Sequence, residues 1–211
     1  MEISVKGFDN GDWIPAEFAF CMKDTQNHIK LSANRNPHIH WRNVPDQTRS
    51  LALICHDPDV PNSPENVNKE GLAININMPR CDFFHWIAIN ISPDTCCIHT
   101  GSHSDGITPH GKPPLKEKNG MRTGRNSYTD WFANDPQMQG DYYGYDGPCP
   151  PWNDERIHHY IFTLYALDLS ELPLPENFTG LDLRKAIMGH IIDSASWTGL
   201  YSLNPNLVKN G

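Results

Sequence analysis

Three runs of apolar residues constrain the fold of this chain more than any other feature. They lie at residues 49–55, 83–91 and 157–167, and each carries apolar side chains on both faces if it is drawn as a strand. A strand of that kind has to be covered by the protein on both sides. We therefore predict three central, neighbouring strands. The 18 prolines and 15 glycines indicate many turns and hence a β-rich fold.

Local signals predict where these elements end and which way their side chains face. Strict alternation would place the odd-numbered residues of 83–91 on one face and the even-numbered residues on the other. The first strand is predicted to end at Asp57-Pro58-Asp59, because proline cannot donate to the hydrogen-bond ladder. Near the C-terminus, Thr179 and Asp182 form a capping-box pattern that predicts a helix start. Its buried stripe is predicted at every fourth position, at Leu183, Ile187 and Ile191.

Composition and charge exclude several classes of partner. The 211-residue chain has a formal net charge of -8, which argues against binding to nucleic acid or an anionic membrane surface. The main basic cluster, residues 112–125, is interpreted as a solvated face, with docking of an acidic partner as the alternative. We see no apolar run long enough to span a membrane and no signal peptide, and we expect a soluble, cytoplasmic protein.

The spacing of the cysteines also favours an intracellular protein. None of the six cysteines forms a C-x-x-C pair, and the chain is too long to be a disulfide miniscaffold. The sequence therefore predicts no structural disulfide and six free thiols.

Side chains that can transfer protons or bind ions lie within the predicted strands or directly after them. Asp57 and Asp59 come after the first, His85 lies in the second, and His158 and Tyr160 share one face of the third. Together with a stiff Gly/Pro segment, these residues suggest a small pocket for an anionic head group. In the structural alternative the two aspartates cap a turn and His85 is a satisfied core residue.

A metal site is the other pattern considered. His99 and His103 have an H-x-x-x-H spacing that would put both imidazoles on one face of a helix. Gly101 and Gly106 make a helix unfavourable there, so the segment is interpreted as a loop. We expect neither a metal nor a cofactor.

Four segments resemble the signatures of the phosphatidylethanolamine-binding proteins, also called Raf kinase inhibitor proteins. Residues 57–61 resemble a D-P-D-x-P box, and Phe84-His85-Trp86 resembles a second box with His before an aromatic residue. Residues 144–151 are similar to the G-Y-x-G-P-x-P-P signature of the bacterial and archaeal branch, and His158-His159-Tyr160 to its H-R-Y triplet. His159 replaces the usual Arg, which leaves any ion pair of that Arg without its cation. The resemblance extends from about residue 3 to residue 201.

The resemblance implies a mainly-β fold of two packed antiparallel sheets, with peripheral helices that include one near the C-terminus. The chain length predicts a single domain over residues 1–211, and the polar segments without apolar periodicity at about 62–79 and 92–126 are predicted to be long loops. The ligand-binding walls carried over from the family are Asp57, Pro61, Phe83, His85, Gly147, Pro150, Pro151, His158 and Tyr160.

The function implied is a binding or regulatory protein for a small phosphate or carboxylate ligand, with inhibition of a protein kinase or protease as an added role. His158, near a strand start, is expected to be replaceable without loss of the fold. The alternative is a hydrolase that uses the His and Asp side chains for acid–base chemistry. The sequence has no G-x-S-x-G elbow, so we expect a binding protein rather than an enzyme.

Overall fold

The computed structural model describes residues 1–207, so residues 208–211 of the predicted domain lie outside the described part. The fold is mainly β, as predicted. The strands are β1 (Glu2–Val5), β2 (Cys21–Asp24), β3 (His28–Leu31), β4 (Ile39–Arg42), β5 (Ser50–Pro61), β6 (Arg80–Ile91), β7 (Cys97–Ile98), β8 (Arg122–Thr123), β9 (His158–Leu167) and β10 (Ile191–Tyr201). The α-helices are α1 (Tyr128–Trp131) and α2 (Gly180–Ala186), and 3-10 turns occur at Ala16–Phe18 and Pro205–Leu207.

The strands form antiparallel sheets. A five-stranded sheet has the order β10-β9-β5-β6-β8, a three-stranded sheet has the order β1-β4-β7, and β2 and β3 form a separate hairpin. The three apolar runs become β5, β6 and β9, with β5 between the other two, which confirms that they are central neighbours.

Two apolar clusters cover the two faces of the five-stranded sheet. The first cluster joins Trp41 of the three-stranded sheet to Leu53 and Phe162, so the two larger sheets pack face to face. The second joins Ile54 of β5 to Leu183 of α2. Burial on both faces explains why these strands have no polar side.

Helix α2 begins as predicted and ends earlier. Thr179 and Asp182 form the complete capping box. Leu183 and Ile187 are buried, but Ile191 lies in β10 and is 45% exposed, so that part of the predicted stripe is wrong. The helix has already ended at Ala186.

Strand β5 does not end at the Asp-Pro-Asp segment, and that prediction is wrong. The strand continues to Pro61, and a bulge between Asp57 and Val60 lets Pro58 pass without a ladder hydrogen bond. A second bulge lies on the partner strand β6. Cys55 pairs with Trp86 and His56 pairs with Phe84, so β6 has one extra residue at this point.

The second bulge leaves His85 between two paired residues and changes the side-chain phase of β6. Phe84 therefore packs in the second cluster, whereas Trp86 packs in the first. The predicted strict alternation over residues 83–91 is wrong for this reason, and it fails again where a further register shift leaves Ile89 in the second cluster and Ile91 in the first.

The two predicted long loops are anchored to the body of the protein. Asn153 Nδ2 donates to the carbonyls of Asn66 and Leu72 in the 62–79 segment. The 92–126 segment contributes the short strands β7 and β8 to the two larger sheets. No helix within residues 1–207 is long and apolar enough to cross a membrane.

Candidate functional site

A cavity of about 350 Å³ lies where the bulged parts of β5 and β6 meet the β2–β3 hairpin. Most of the predicted site residues line it: Asp57, Pro61, Phe83, His85, Pro150, Pro151 and Tyr160. The bulges bring the polar members together, because they turn Asp57 and His85 out of the regular pleat.

The remaining walls were not predicted and are largely apolar. They come from the hairpin and its approach, and from α1 and the turn after it; they include Phe20, Ile29, Leu31, Tyr128, Trp131, Phe132 and Met138. Asp135, Asn68 and Gln137 add polar groups at the wall, and no Lys or Arg of residues 1–207 lines the cavity. The local sequence carries no signal for this lining, because it comes from segments distant along the chain.

Gly147 supports the cavity without lining it. Its N–H donates to Asn34 Oδ1 at 2.8 Å, and its carbonyl accepts from the Tyr128 hydroxyl at 2.7 Å. A Cβ at this position would lie 2.0 Å from the Phe18 carbonyl oxygen, so only glycine fits. The residue fixes the loop that carries Pro150 and Pro151.

His158 also lies outside the cavity, directly behind Asp57. It is fully buried, with Nδ1 at 2.6 Å from Asp57 Oδ2 and Nε2 at 3.1 Å from Asp154 Oδ2. Burial by itself lowers the pKa of His158, but the charge of Asp57 and the hydrogen bonds to both carboxylates outweigh it and raise the pKa to about 9. At neutral pH His158 is therefore an imidazolium that donates from both nitrogens.

Arginines complete the charge balance of this buried cluster. Arg80 forms a two-pronged pair with Asp154, and Arg156 Nη1 donates to Asp59 Oδ1 at 3.0 Å. His159 Nδ1 lies 2.7 Å from Asp59 Oδ2. Asp59 is thus paired with both Arg156 and His159, the residue that stands where the resemblance places an Arg.

His85 has the opposite environment. Its Nδ1–H donates to the Asp146 carbonyl at 2.7 Å, which leaves Nε2 as the nitrogen available to a ligand. Burial lowers the pKa of His85 to about 4, so the ring is neutral at pH 7 and Nε2 is a hydrogen-bond acceptor.

Asp146, which orients His85, is held by side chains that sequence reasoning missed. Its carboxylate accepts from Asn34 at 2.8 Å, Asn126 at 2.8 Å and Lys112 at 3.1 Å. Lys112 was interpreted as part of a solvated basic face, and that interpretation is wrong for this residue because its side chain is largely buried.

Tyr160 and Asp57 complete the polar end of the cavity. Burial, and then the charge of Asp57, raise the pKa of Tyr160 well above its ordinary value, so the phenol keeps its proton. The Tyr160 and His85 rings lie edge to face at 5.0 Å between centroids. Asp57 Oδ1 accepts the Asp59 N–H at 2.7 Å, which fixes the carboxylate within the bulge.

A disulfide joins Cys21 of the hairpin to Cys149 in the cavity wall. The predictions of six free thiols and no structural disulfide are therefore wrong. The two cysteines are 128 residues apart, and only the packing of the hairpin on the 147–151 loop brings them together. Cys55, Cys81, Cys96 and Cys97 are free.

The H-x-x-x-H pair does not form a site. His103 is buried and accepts from the Trp86 indole at 3.1 Å, whereas His99 lies beside His38. In the part of the chain that the structure describes, no three His, Cys, Asp or Glu residues are placed to hold a metal ion.

The fold and the site define a class: β-sheet proteins in which a small cavity with imidazole, phenol and carboxylate groups opens at one end of the sheet. A family model described as phosphatidylethanolamine-binding protein matches residues 4–202, and the chain belongs to this family. A protein of Methanothermobacter thermautotrophicus named UPF0098 is 30% identical, over 80% of this chain and 83% of its own. Escherichia coli YbhB is 27% identical, over 80% of this chain and 82% of its own.

Solved structures agree with this family. A putative phosphatidylethanolamine-binding protein homologue from Chlamydia trachomatis has a TM-score of 0.62 at 26% identity, with 95% of this chain and 96% of that chain covered. Escherichia coli YbcL, described as a new member of the mammalian family, has a TM-score of 0.67 at 22% identity and covers 95% of this chain and 97% of its own. The second likeness concerns the fold alone.

Proposed function

We propose that the cavity binds a small phosphate or carboxylate head group in a protonated form. The observation that carries this proposal is the convergence of the buried residues His85, Tyr160 and Asp57 in the wall of the cavity. The Tyr160 hydroxyl, which hydrogen-bonds Asp57, can turn its proton to a ligand oxygen, while neutral His85 offers an acceptor nitrogen. A phosphate monoanion presents an O–H and anionic oxygens together, and it matches both groups.

The buried charges behind Asp57 explain how an anion can bind next to this carboxylate. Asp57 alone would repel it, but the imidazolium of His158 lies 2.6 Å behind Asp57 and compensates that charge. Arg80 and Arg156 compensate Asp154 and Asp59 in the same way. The end of the cavity therefore carries little net charge, and a monoanion suits it better than a dianion.

A proton is coupled to binding in this proposal. A bound oxyanion favours the charged form of a nearby imidazole, so it raises the pKa of His85 from its value of about 4. Whether the proton resides on the ligand or on Nε2, the complex holds one proton that the free partners lack at alkaline pH. Affinity therefore rises as pH falls.

The hydrolase alternative loses its main residue. Both nitrogens of His158 are engaged by carboxylates and the ring is fully buried, so it has no nitrogen free to act on a ligand.

Inhibition of a protein kinase or protease stays a prediction from family membership. The single-domain organisation over residues 1–211 stays a prediction as well.

A cytoplasmic location also stays a prediction, and the disulfide argues against it. Disulfides persist chiefly in oxidising compartments. The redox state of Cys21 and Cys149 in protein isolated under acid quench decides which compartment fits.

Calorimetric titration with inorganic phosphate at several pH values tests the proposal. Affinity should fall about tenfold per pH unit above about pH 7, where inorganic phosphate loses its second proton. His85→Asn keeps a donor to the Asp146 carbonyl and removes Nε2, and Tyr160→Phe removes only the hydroxyl. Both should weaken binding at least about tenfold, as expected for a lost hydrogen bond to a charged group.

The matched control is His190→Asn, which changes an exposed histidine paired with Asp168. It should bind phosphate like wild type. A phosphate affinity that is the same at every pH and in both cavity variants would refute the proposal. If wild type hydrolyses a phosphoester and His85→Asn does not, the enzyme alternative is established.

A further inference from the structure

The Cys21–Cys149 disulfide lies in a position that a purely structural cross-link does not require. Both cysteines line the ligand cavity, next to Pro150 and the hairpin residue Ile29. Cys21 is 4% exposed and Cys149 is half-buried, so Cys149 is the more accessible end of the bond. A small thiol can therefore reach the disulfide from the cavity.

The hairpin that the disulfide holds has few other attachments. Strands β2 and β3 pair only with each other among the described strands. At its base, the Cys21 N–H donates to the Pro148 carbonyl at 3.1 Å and the Cys21 carbonyl accepts from Tyr201. Beyond the base, Lys23 donates to the Asn204 carbonyl at 2.9 Å and His28 stacks on Trp152.

A further outer contact, between His28 and Glu70, is a weak anchor. His28 Nε2 lies 2.6 Å from Glu70, but both side chains are exposed, with 42% and 80% of their surfaces accessible. Exposed pairs of this kind contribute little. Leu31, which pairs with Cys21 at the base of the hairpin, is 60% exposed although it lines the cavity. Among residues 1–207 the disulfide is thus the only covalent cross-link of this cavity wall, and the contact made by the outer part of the hairpin with Glu70 is exposed.

We infer that Cys21–Cys149 is a redox switch of the cavity, shielded by the bound ligand and opened by a dithiol reductant. A reductant thiolate attacks Cys149 Sγ, the S–S bond breaks, and Cys21 leaves as a thiolate. The second thiol of the reductant then displaces Cys149 and closes the oxidised reductant. The protein gains two electrons and two protons, and the reductant loses them. The hairpin wall is then free to move and the cavity retains its ligand less well.

The shielding part of this inference rests on the proposed function, whereas the hairpin part does not. Reduction by dithiothreitol is followed by alkylation and mass spectrometry, with and without saturating inorganic phosphate, and potassium chloride matches the ionic strength. Phosphate should slow reduction at least fivefold in wild type and leave the rate unchanged in His85→Asn. Wild type that binds phosphate but is reduced at the same rate overturns the inference.

Hydrogen exchange tests the hairpin independently of any ligand. Reduction should increase exchange in residues 22–31 and leave β5, β6 and β9 protected. The Cys21→Ser/Cys149→Ser variant should show the same pattern and weaker phosphate affinity, while Cys96→Ser/Cys97→Ser, which keeps the disulfide, matches wild type. Unchanged hairpin exchange, or a rise over the whole chain, overturns the inference. If wild type binds no phosphate, the proposed function fails and hydrogen exchange alone decides whether the hairpin is switched.

Discussion

Two buried histidines on the strands that flank β5 have opposite pKa shifts. His85 bonds a neutral carbonyl, and burial lowers its pKa to about 4. His158 is buried too, but the charge of Asp57 and the hydrogen bonds to Asp154 and Asp57 raise its pKa to about 9. The sequence predicts both rings as equivalent members of one pocket. Their division into a neutral ring that lines the cavity and a buried cation depends on neighbours that only the fold brings together.

These shifts predict a stability maximum near pH 6.5. The raised pKa of His158 adds stability below about pH 6.5 that is lost as pH rises to about 9. The lowered pKa of His85 removes stability as pH falls from about 6.5 to about 4. In urea unfolding of wild type, the free energy of unfolding should fall by about 3 kcal/mol between about pH 6.5 and about pH 9, since one pKa unit corresponds to about 1.4 kcal/mol.

His158→Gln tests the same pairing and replaces the expectation that this residue is dispensable for folding. It should lower the free energy of unfolding by about 3–5 kcal/mol at pH 6.5, because it leaves buried carboxylates without their cation. It should also abolish the alkaline loss. His190→Gln changes an exposed pair and should cost less than about 1 kcal/mol. An unchanged alkaline profile in His158→Gln would contradict the assignment.

At the scale of elements, the bulges in β5 and β6 bring the polar side chains of these strands to the cavity. The apolar runs predict β5, β6 and β9 and their neighbourhood, because burial on both faces leaves a direct pattern in the sequence. The bulges at Asp57–Val60 and around His85 leave no such pattern. A one-residue insertion in the pairing depends on the partner strand, so strict alternation fails where the site begins.

The 147–151 loop gives an element-scale prediction. Gly147→Ala would place a Cβ 2.0 Å from the Phe18 carbonyl, so the loop has to move. We expect a loss of about 1–3 kcal/mol in unfolding free energy, as for overpacking, and weaker phosphate binding. Gly120→Ala, at a φ of +95° with nothing within 4 Å, should cost roughly 1–2 kcal/mol from backbone strain and leave binding unchanged. Thermal unfolding and calorimetry measure both; equal binding by the two variants would contradict the role given to Gly147.

At the scale of the whole molecule, contacts between distant segments build what local patterns do not predict. The signatures name Asp57, His85 and Tyr160, which lie together in the cavity wall, but not the polar lining residues Asn68, Asp135 and Gln137. The apolar walls and the disulfide come from the hairpin meeting a loop more than 100 residues later. Cysteine spacing describes neighbours along the chain, so it carries no information on that meeting.

The disulfide gives a whole-molecule prediction. Thiol titration of denatured, unreduced protein should count four free cysteines, and six after reduction. Closing a loop of this length should stabilise the protein by about 4–5 kcal/mol through the unfolded state. Urea unfolding of oxidised and reduced protein measures the difference. A count of six without reductant, with air oxidation excluded, would contradict the cross-link.

The central claim is a proton-coupled oxyanion site at His85, and an NMR titration of the His85 imidazole tests it most directly. The ring nitrogens are followed from pH 3.5 to pH 8 with and without saturating inorganic phosphate. The account predicts a pKa of about 4 in the free protein, with the proton of the neutral ring on Nδ1. It predicts that phosphate raises this pKa by at least about one unit, equivalent to about 1.4 kcal/mol. An unchanged His85 pKa at saturating phosphate would contradict the account.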